Sequence, residues 1–282
     1  MKNILFPTDF SKNSWNALVY AMAFFKNTPC KFYVLHVTNA PDIGLNGFSL
    51  VTGTEAKEND VIPPFEQHLN DFLIRIKRTS KNTKHRFYSI LDFGTFIEAL
   101  KRHVKEKQIN TIVMGTKGAS GIKKIIVGSN TGDVITKVHC NTLIIPQQAQ
   151  YRLPKEIIFP TDYTIFYSFK VLDTLATLVR KNNARLHVIH VAKESKVWNS
   201  EQKHNYTYLK DFLKEEFLGS HEFHLPMGAK IATAIEQFAL DHKADMIVMV
   251  AKNLNFLQQT LFNSTIEQLS FQITTPFYVI HG

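Results

Sequence analysis

Short runs of consecutive apolar residues alternate along this chain with longer stretches whose apolar positions recur three and four apart. In the first half the runs are Asn3–Pro7, Phe32–Val37, Arg86–Leu91, Thr111–Met114 and Thr142–Pro146. Between them stand SWNALVYAMAFF (14–25), PFEQHLNDFLIRI (64–76), TFIEALKRHVKEK (95–107) and NTGDVITKV (130–138). A strand with one face in water alternates apolar and polar residues. These inner runs are apolar at successive positions, so they predict strands covered on both faces. The helical stretches supply the cover. Strands joined in this way by crossover helices predict a doubly wound α/β domain, in which ligands bind beyond the carboxyl ends of the strands, where the strand order reverses.

The pattern occurs twice. KNILFPTD at 2–9 returns as KEIIFPTD at 155–162, VLHV at 34–37 as VIHV at 188–191, and TIVMGTK at 111–117 as MIVMVAK at 246–252. The shared order predicts two tandem domains of one fold, residues 1–147 and 153–282, with the join between Gln147 and Leu153. A repeat this long is no solenoid.

Three features gather at the predicted carboxyl ends of the first half. Asp9 follows the first strand, His36 and Val37 close the second, and GTKGASGIKKIIVGS (115–129) follows the fourth. Glycine at 115 and 118 would let the backbone take positive φ and approach a phosphate with no Cβ in the way. Gly128 leads into Ser129, a good N-cap for the helix beginning at Asn130. The free N–H groups of that first turn favour an anion. Lys117, Lys123 and Lys124 of the same loop either screen that anion or point into solvent. The P-loop pattern fails because Ile122 follows Gly121, and G-x-G-x-x-G is absent. Asp92-Phe93-Gly94 spells the kinase tripeptide without the other kinase motifs, so it reads as a strand end turning into a helix.

FPTDFS after the first strand, a second strand ending LHV, and G-x2-G-x9-G-S before a helix and a short last strand together resemble the universal stress protein family. The resemblance covers nearly the whole chain as two copies. It implies a parallel sheet of order 3-2-1-4-5 in each half and, as in the family's nucleotide-binding branch, an ATP across the switch point. Asp9 would then meet the ribose or a Mg²⁺ carried with the nucleotide. Backbone groups near Pro7, Thr8 and Val37 would frame the adenine, and Gly115, Gly118, Gly128, Ser129 and Asn130 would hold the phosphates, with Met114 among the nucleotide-binding residues. The family's domains pair through their last strands, here within one chain, and a homodimer stays open.

The second half keeps Asp162 and Val191 but has Val250, Asn253 and Asn263 where Gly115, Gly118 and Gly128 stand, with Ser264 retained. A β-branched residue resists positive φ, so one nucleotide site, in the first half, is expected. Charge is divided the same way. Through Pro146 there are 19 Lys and Arg against 11 Asp and Glu, so the formal +9 of the chain sits almost wholly with the glycine loop and favours an anionic ligand. The basic run Arg75–Arg86 lacks aromatic interleaving and any recognised module, which argues against nucleic acid.

No apolar stretch is long enough for a membrane span and no signal-like core opens the chain, so a cytoplasmic protein is expected. Cys30 and Cys140 are too few for a disulfide framework. His221 and His224 fall three apart on a predicted strand, on opposite faces, and do not chelate one ion together. His36 and His190 recur at equivalent strand ends and read as structural. The glycine-containing segment 39–64 is either a lid or an insertion without a role at the site. No nucleophile elbow or interpretable carboxylate pair is present, which argues against an enzyme, though slow ATP hydrolysis supported by Asp9 and Mg²⁺ stays open. The expected function is an ATP-binding regulatory stress protein acting through an unidentified protein partner. The alternative is an interaction scaffold, or a binder of another small molecule.

Overall fold

The computed structural model describes residues 1–38, 64–116, 129–191, 197–217, 219–227, 230–252 and 275–282. The first half contributes β1 (Lys2–Pro7), α1 (Lys12–Phe24), β2 (Cys30–Thr38), α2 (Pro64–Thr79), β3 (His85–Phe93), α3 (Phe96–Glu106), β4 (Thr111–Gly115), α4 (Ser129–Lys137) and β5 (Thr142–Ile145). The second contributes β6 (Glu156–Pro160), α5 (Phe169–Asn182), β7 (Arg185–Ile189), α6 (Ser200–Glu216), β8 (His221–His224), α7 (Ile231–Asp241), β9 (Met246–Val250) and β10 (Phe277–Ile280). Each half is an α/β unit with a parallel sheet flanked by helices. No helix among the described residues is long and apolar enough to cross a membrane.

All ten strands form one sheet in the order β3-β2-β1-β4-β5-β10-β9-β6-β7-β8. Burial explains the order. The inner strands β4, β5, β9 and β10 are buried along nearly their whole length, whereas β3 and β8 at the two rims are mostly half-exposed. Where the halves meet, β5 and β10 run antiparallel, Phe277 opposite Ile144, Tyr278 opposite Leu143 and Val279 opposite Thr142. The Tyr278 hydroxyl bonds the side chains of Thr111 and Asn141. Asn141 Oδ1 also accepts the His281 amide at 2.8 Å.

On one face a single apolar core runs through both halves, from Ile4, Leu18 and Phe72 to Leu172, Leu186 and Leu209. The other face carries two cores, one under α3 and α4 with Leu5, Leu35 and Ile112, the other under α7 with Ile158, Ile189 and Ile247. The second of these also takes in Ile135 and Ile144 of the first half. Each fully buried Leu or Ile contributes about 1.5–3 kcal/mol by leaving water, so the seam is stabilised by the same interior that stabilises each half. The join is held as well: Asn16 of α1 donates to the carbonyls of Pro146, Gln147 and Ala149 at 3.4, 3.3 and 3.0 Å.

The tripeptide Asp92-Phe93-Gly94 ends β3 and turns into α3. Gly94 sits at φ +111°, a conformation side chains disfavour. Asp92 Oδ2 receives His103 Nε2 at 2.7 Å and the Arg102 guanidinium, and Oδ1 receives the Phe93 amide. Burial alone would raise the Asp92 carboxyl, but the bonds from Arg102, Phe93 and His103 outweigh it and hold the group below its ordinary value. A carboxyl depressed on folding stabilises the protein above its unfolded pKa and loses that effect as pH falls through the folded one. Asp92→Ala is therefore expected to cost about 1–2 kcal/mol at pH 7. That difference should shrink below the ordinary aspartate range when urea melts are compared at neutral and acid pH.

Candidate functional site

Because β4 and β2 flank β1, the segments leaving these three strands meet at one end of the sheet. The turn after β1 is built by its own side chains. Thr8 Oγ1 accepts the Phe10 amide at 3.0 Å and lies 3.0 Å from Ser14 Oγ, and Asp9 Oδ1 accepts the Ser11 amide at 3.0 Å. Ser11 then caps α1 by accepting the Ser14 amide at 3.1 Å. These bonds hold Phe10 at φ +61°, a backbone few side chains tolerate. His36 Nδ1 lies 2.8 Å from the Thr8 carbonyl. Its ring sits between Phe10 and Phe65, centroids 4.5 and 5.4 Å away.

One polar atom of this turn is left over. Asp9 Oδ2 is buried and has no hydrogen-bond partner among the described residues. A buried unpaired carboxylate oxygen is costly unless a donor or cation reaches it. Thr8 offers less than expected, since its amide already donates to Leu35 and its carbonyl already meets His36. Pro7 is buried and has no N–H. Val37 is half-buried and packs on the core that holds Leu5 and Leu35.

The β4 side differs from the sequence expectation at three positions. Gly115 does not take positive φ; among the described glycines only Gly94 and Gly219 do. It lies in regular strand opposite Ile145. Its missing Cβ serves packing, because a Cβ there would stand 2.5 Å from Asn13 Nδ2 and 2.8 Å from Asn13 Cγ. The Met114 side chain is buried in the core with Leu100 and Val134 rather than facing the strand end. Ser129 is already helical, the first residue of α4 rather than a residue before it. Asn130 is exposed in the first turn of α4. The anchor of that turn is Thr131, whose Oγ1 donates to the Gly115 carbonyl at 3.1 Å and ties α4 to the end of β4.

Neither Asn13 nor Thr131 was singled out by motif reading. Asn13 follows the FPTDFS motif within α1, and only a contact from helix to strand reveals its role. Gly118, Gly128, the three loop lysines, segment 39–63, Asn253, Asn263 and Ser264 lie outside the described residues.

The second half repeats the turn and packs aromatic and amide side chains against it. Thr161 Oγ1 accepts the Tyr163 amide at 3.1 Å, Asp162 Oδ1 accepts the Thr164 amide at 3.1 Å, Tyr163 takes φ +57°, and His190 Nδ1 lies 3.0 Å from the Thr161 carbonyl. The Tyr163 ring, 1% exposed, stacks on His190. Trp198 packs edge-on to Tyr163 and donates its Nε1–H to His190 Nε2 at 3.2 Å. From α6, Gln202 and Asn205 donate to the carbonyls of Asp162 and Tyr163 at 2.8 and 2.9 Å. Val250, opposite Ile280 as Gly115 is opposite Ile145, is buried.

Two other sequence candidates have structural places. Burial pushes the Cys30 thiol up to about 11 and the Cys140 thiol to about 12, so neither is a reactive thiolate at neutral pH. Arg75, first of the basic run, lies 3.7 Å over the Trp15 ring and joins α2 to α1.

The model of the universal stress protein family matches residues 1–146 and again 155–281. A universal stress protein of Methanocaldococcus jannaschii is 28% identical over 156 residues, spanning 52% of this chain and 96% of that protein. The crystal structure of a universal stress protein from Archaeoglobus fulgidus superposes with a TM-score of 0.66 at 18% identity, covering 99% of this chain and 95% of that one. One described as a putative universal stress protein from Pseudomonas aeruginosa gives 0.61 at 13% identity, covering 99% and 93%. These two structural likenesses bear on the fold alone.

Proposed function

The chain belongs to the universal stress protein family, and on that premise we propose that its first half binds one adenine nucleotide, ATP with Mg²⁺ by preference, while its second half binds none. The observation that carries the reading is Asp9 Oδ2, buried and without a partner among the described residues, just past the end of β1, which β4 flanks in the sheet. Such an oxygen fits a ribose hydroxyl or a metal held by the nucleotide. The first turn of α4, which Thr131 ties to the end of β4, would offer its amide groups to a phosphate. In the second half, Tyr163, Trp198 and the two α6 amides occupy the equivalent turn. Its part is to complete the sheet and to offer a protein-binding surface.

The activity is binding without productive turnover, with the nucleotide setting which protein partner the pair engages in a cytoplasmic stress response. The test begins with protein denatured after purification and its supernatant assayed for adenine nucleotides, followed by calorimetry with ATP. One equivalent per chain is expected. Asp9→Ala should weaken binding at least about tenfold, and Asp162→Ala should leave it unchanged. No retained nucleotide and no heat with ATP would favour a scaffold instead, and ATP bound by the second half would overturn the assignment of the site.

A further inference from the structure

At the outer rim of the second half, independent of the nucleotide reading, three ligand-type side chains converge across two strands. His187 of β7 stands in register with Glu222 of β8. Glu222 and His224 are two apart on the strand and so share a face. His187 Nδ1 lies 3.1 Å from His224 Nε2, Glu222 Oε2 lies 3.7 Å from the same nitrogen, and all three ligand atoms fall within 4.8 Å of one another. His221, three residues before His224 and expected on the opposite face, turns its Nδ1 to the Phe217 carbonyl at 3.1 Å.

The protonation pattern suits a cation. His187 Nε2 meets Glu156 Oε2 at 2.7 Å. A carboxylate only accepts, so Nε2 carries a proton, and in the neutral ring Nδ1 then keeps the lone pair that a metal needs. His187 is 2% exposed, so water has little access to that lone pair, and the group it faces is the second imidazole. We propose that His187, Glu222 and His224 form a binding site for a divalent transition metal of the zinc class. Two ligands of a tetrahedral zinc stand roughly 3.3–3.5 Å apart, and the observed 3.1 and 3.7 Å bracket that spacing.

Two imidazoles and one carboxylate select zinc, cobalt or nickel over magnesium and calcium, which prefer all-oxygen shells. Glu156 is the outer carboxylate that orients His187. Glu222 is half-exposed and leaves a fourth position on the solvent side. His242, stacked on Phe238 with centroids 5.2 and 5.6 Å from the two ligand rings, borders the site. The competing positive group is Arg185, whose Nη1 is 3.9 Å from Glu222 Oε1. Bound metal would clamp the short rim strand β8 to β7.

The test uses the full chain, free of any affinity tag and stripped with chelator, titrated with Zn²⁺ by calorimetry and with Co²⁺ by absorbance. One saturable equivalent is expected, with the visible bands of four-coordinate cobalt. His224→Ala should weaken it by about 100-fold and Glu156→Gln by about tenfold. His221→Ala, on the opposite face of the same strand, should bind as wild type. Zn²⁺ should raise the melting temperature of the wild type but not of His224→Ala, with circular dichroism confirming that the variant is folded. Absence of saturable Zn²⁺ binding by the wild type would overturn the proposal, as would binding that survives both His224→Ala and Glu222→Gln.

Discussion

Gly115→Val is expected to lower stability by about 2–3 kcal/mol and to abolish nucleotide retention along with it. The first added atom alone would press within 2.5 Å of Asn13 Nδ2, and Asn13 is itself buried, so its side chain has no free space to swing into. Relief has to come from moving α1 off the end of β4. That displaces the Thr8–Ser11 turn, because Ser11 caps α1 and Thr8 is bonded to Ser14. Urea denaturation measures the loss, and a double variant identifies its cause. In an Asn13→Ala background the same Gly115→Val change should cost less than about 1 kcal/mol. An undiminished cost there would mean that the glycine answers to something other than Asn13.

Val279→Asp should be the most damaging single change at the seam, costing more than about 4 kcal/mol by burying a charge without a partner. Val279 is completely buried, lies opposite Thr142 of β5 and packs with Ile144, Ile158 and Ile247. Because one apolar core runs through both halves and the core that holds Val279 also includes Ile135 and Ile144 of the first, the damage should not stay in the second half. Thermal unfolding followed at Trp15 and at Trp198 by selective replacement of the other should show coincident transitions, both shifted down together. Two separated transitions, with the Trp15 signal unmoved, would show that the halves unfold independently. Val279→Ala sets the scale, at about 2 kcal/mol.

Much of the architecture is legible in local pattern. Runs such as Ile4–Pro7 and Met246–Val250 are apolar at every position because both their faces are covered, and the repeated FPTD marks the same turn twice. The turn is legible in kind as well: Thr and Asp bonding amides two residues on is a property of those residues, and it recurs at Asp9 and Asp162. What pattern does not reveal depends on contacts between distant segments. Gly115 reads as a glycine needing positive φ until its regular strand conformation and the Asn13 side chain against it are seen. The burial of Met114 under α3 and α4 is likewise not visible in the pattern of its own strand. His224 has its partners at His187 and Glu222, and only the register of β7 on β8 brings them together; its neighbour in sequence, His221, falls on the opposite face of the strand. Trp198 carries no motif at all, yet it closes the second turn.

The ladder between β5 and β10 has one further consequence. Since both strands belong to the same polypeptide, their meeting is an intramolecular event whose effective concentration is fixed by the connecting chain. Dilution therefore cannot part the halves, and the ten-stranded sheet persists at concentrations where a pair of separate single-domain chains would dissociate. Association of the halves is thereby relieved of any dependence on expression level, and each copy is free to diverge without having to serve as its own mate.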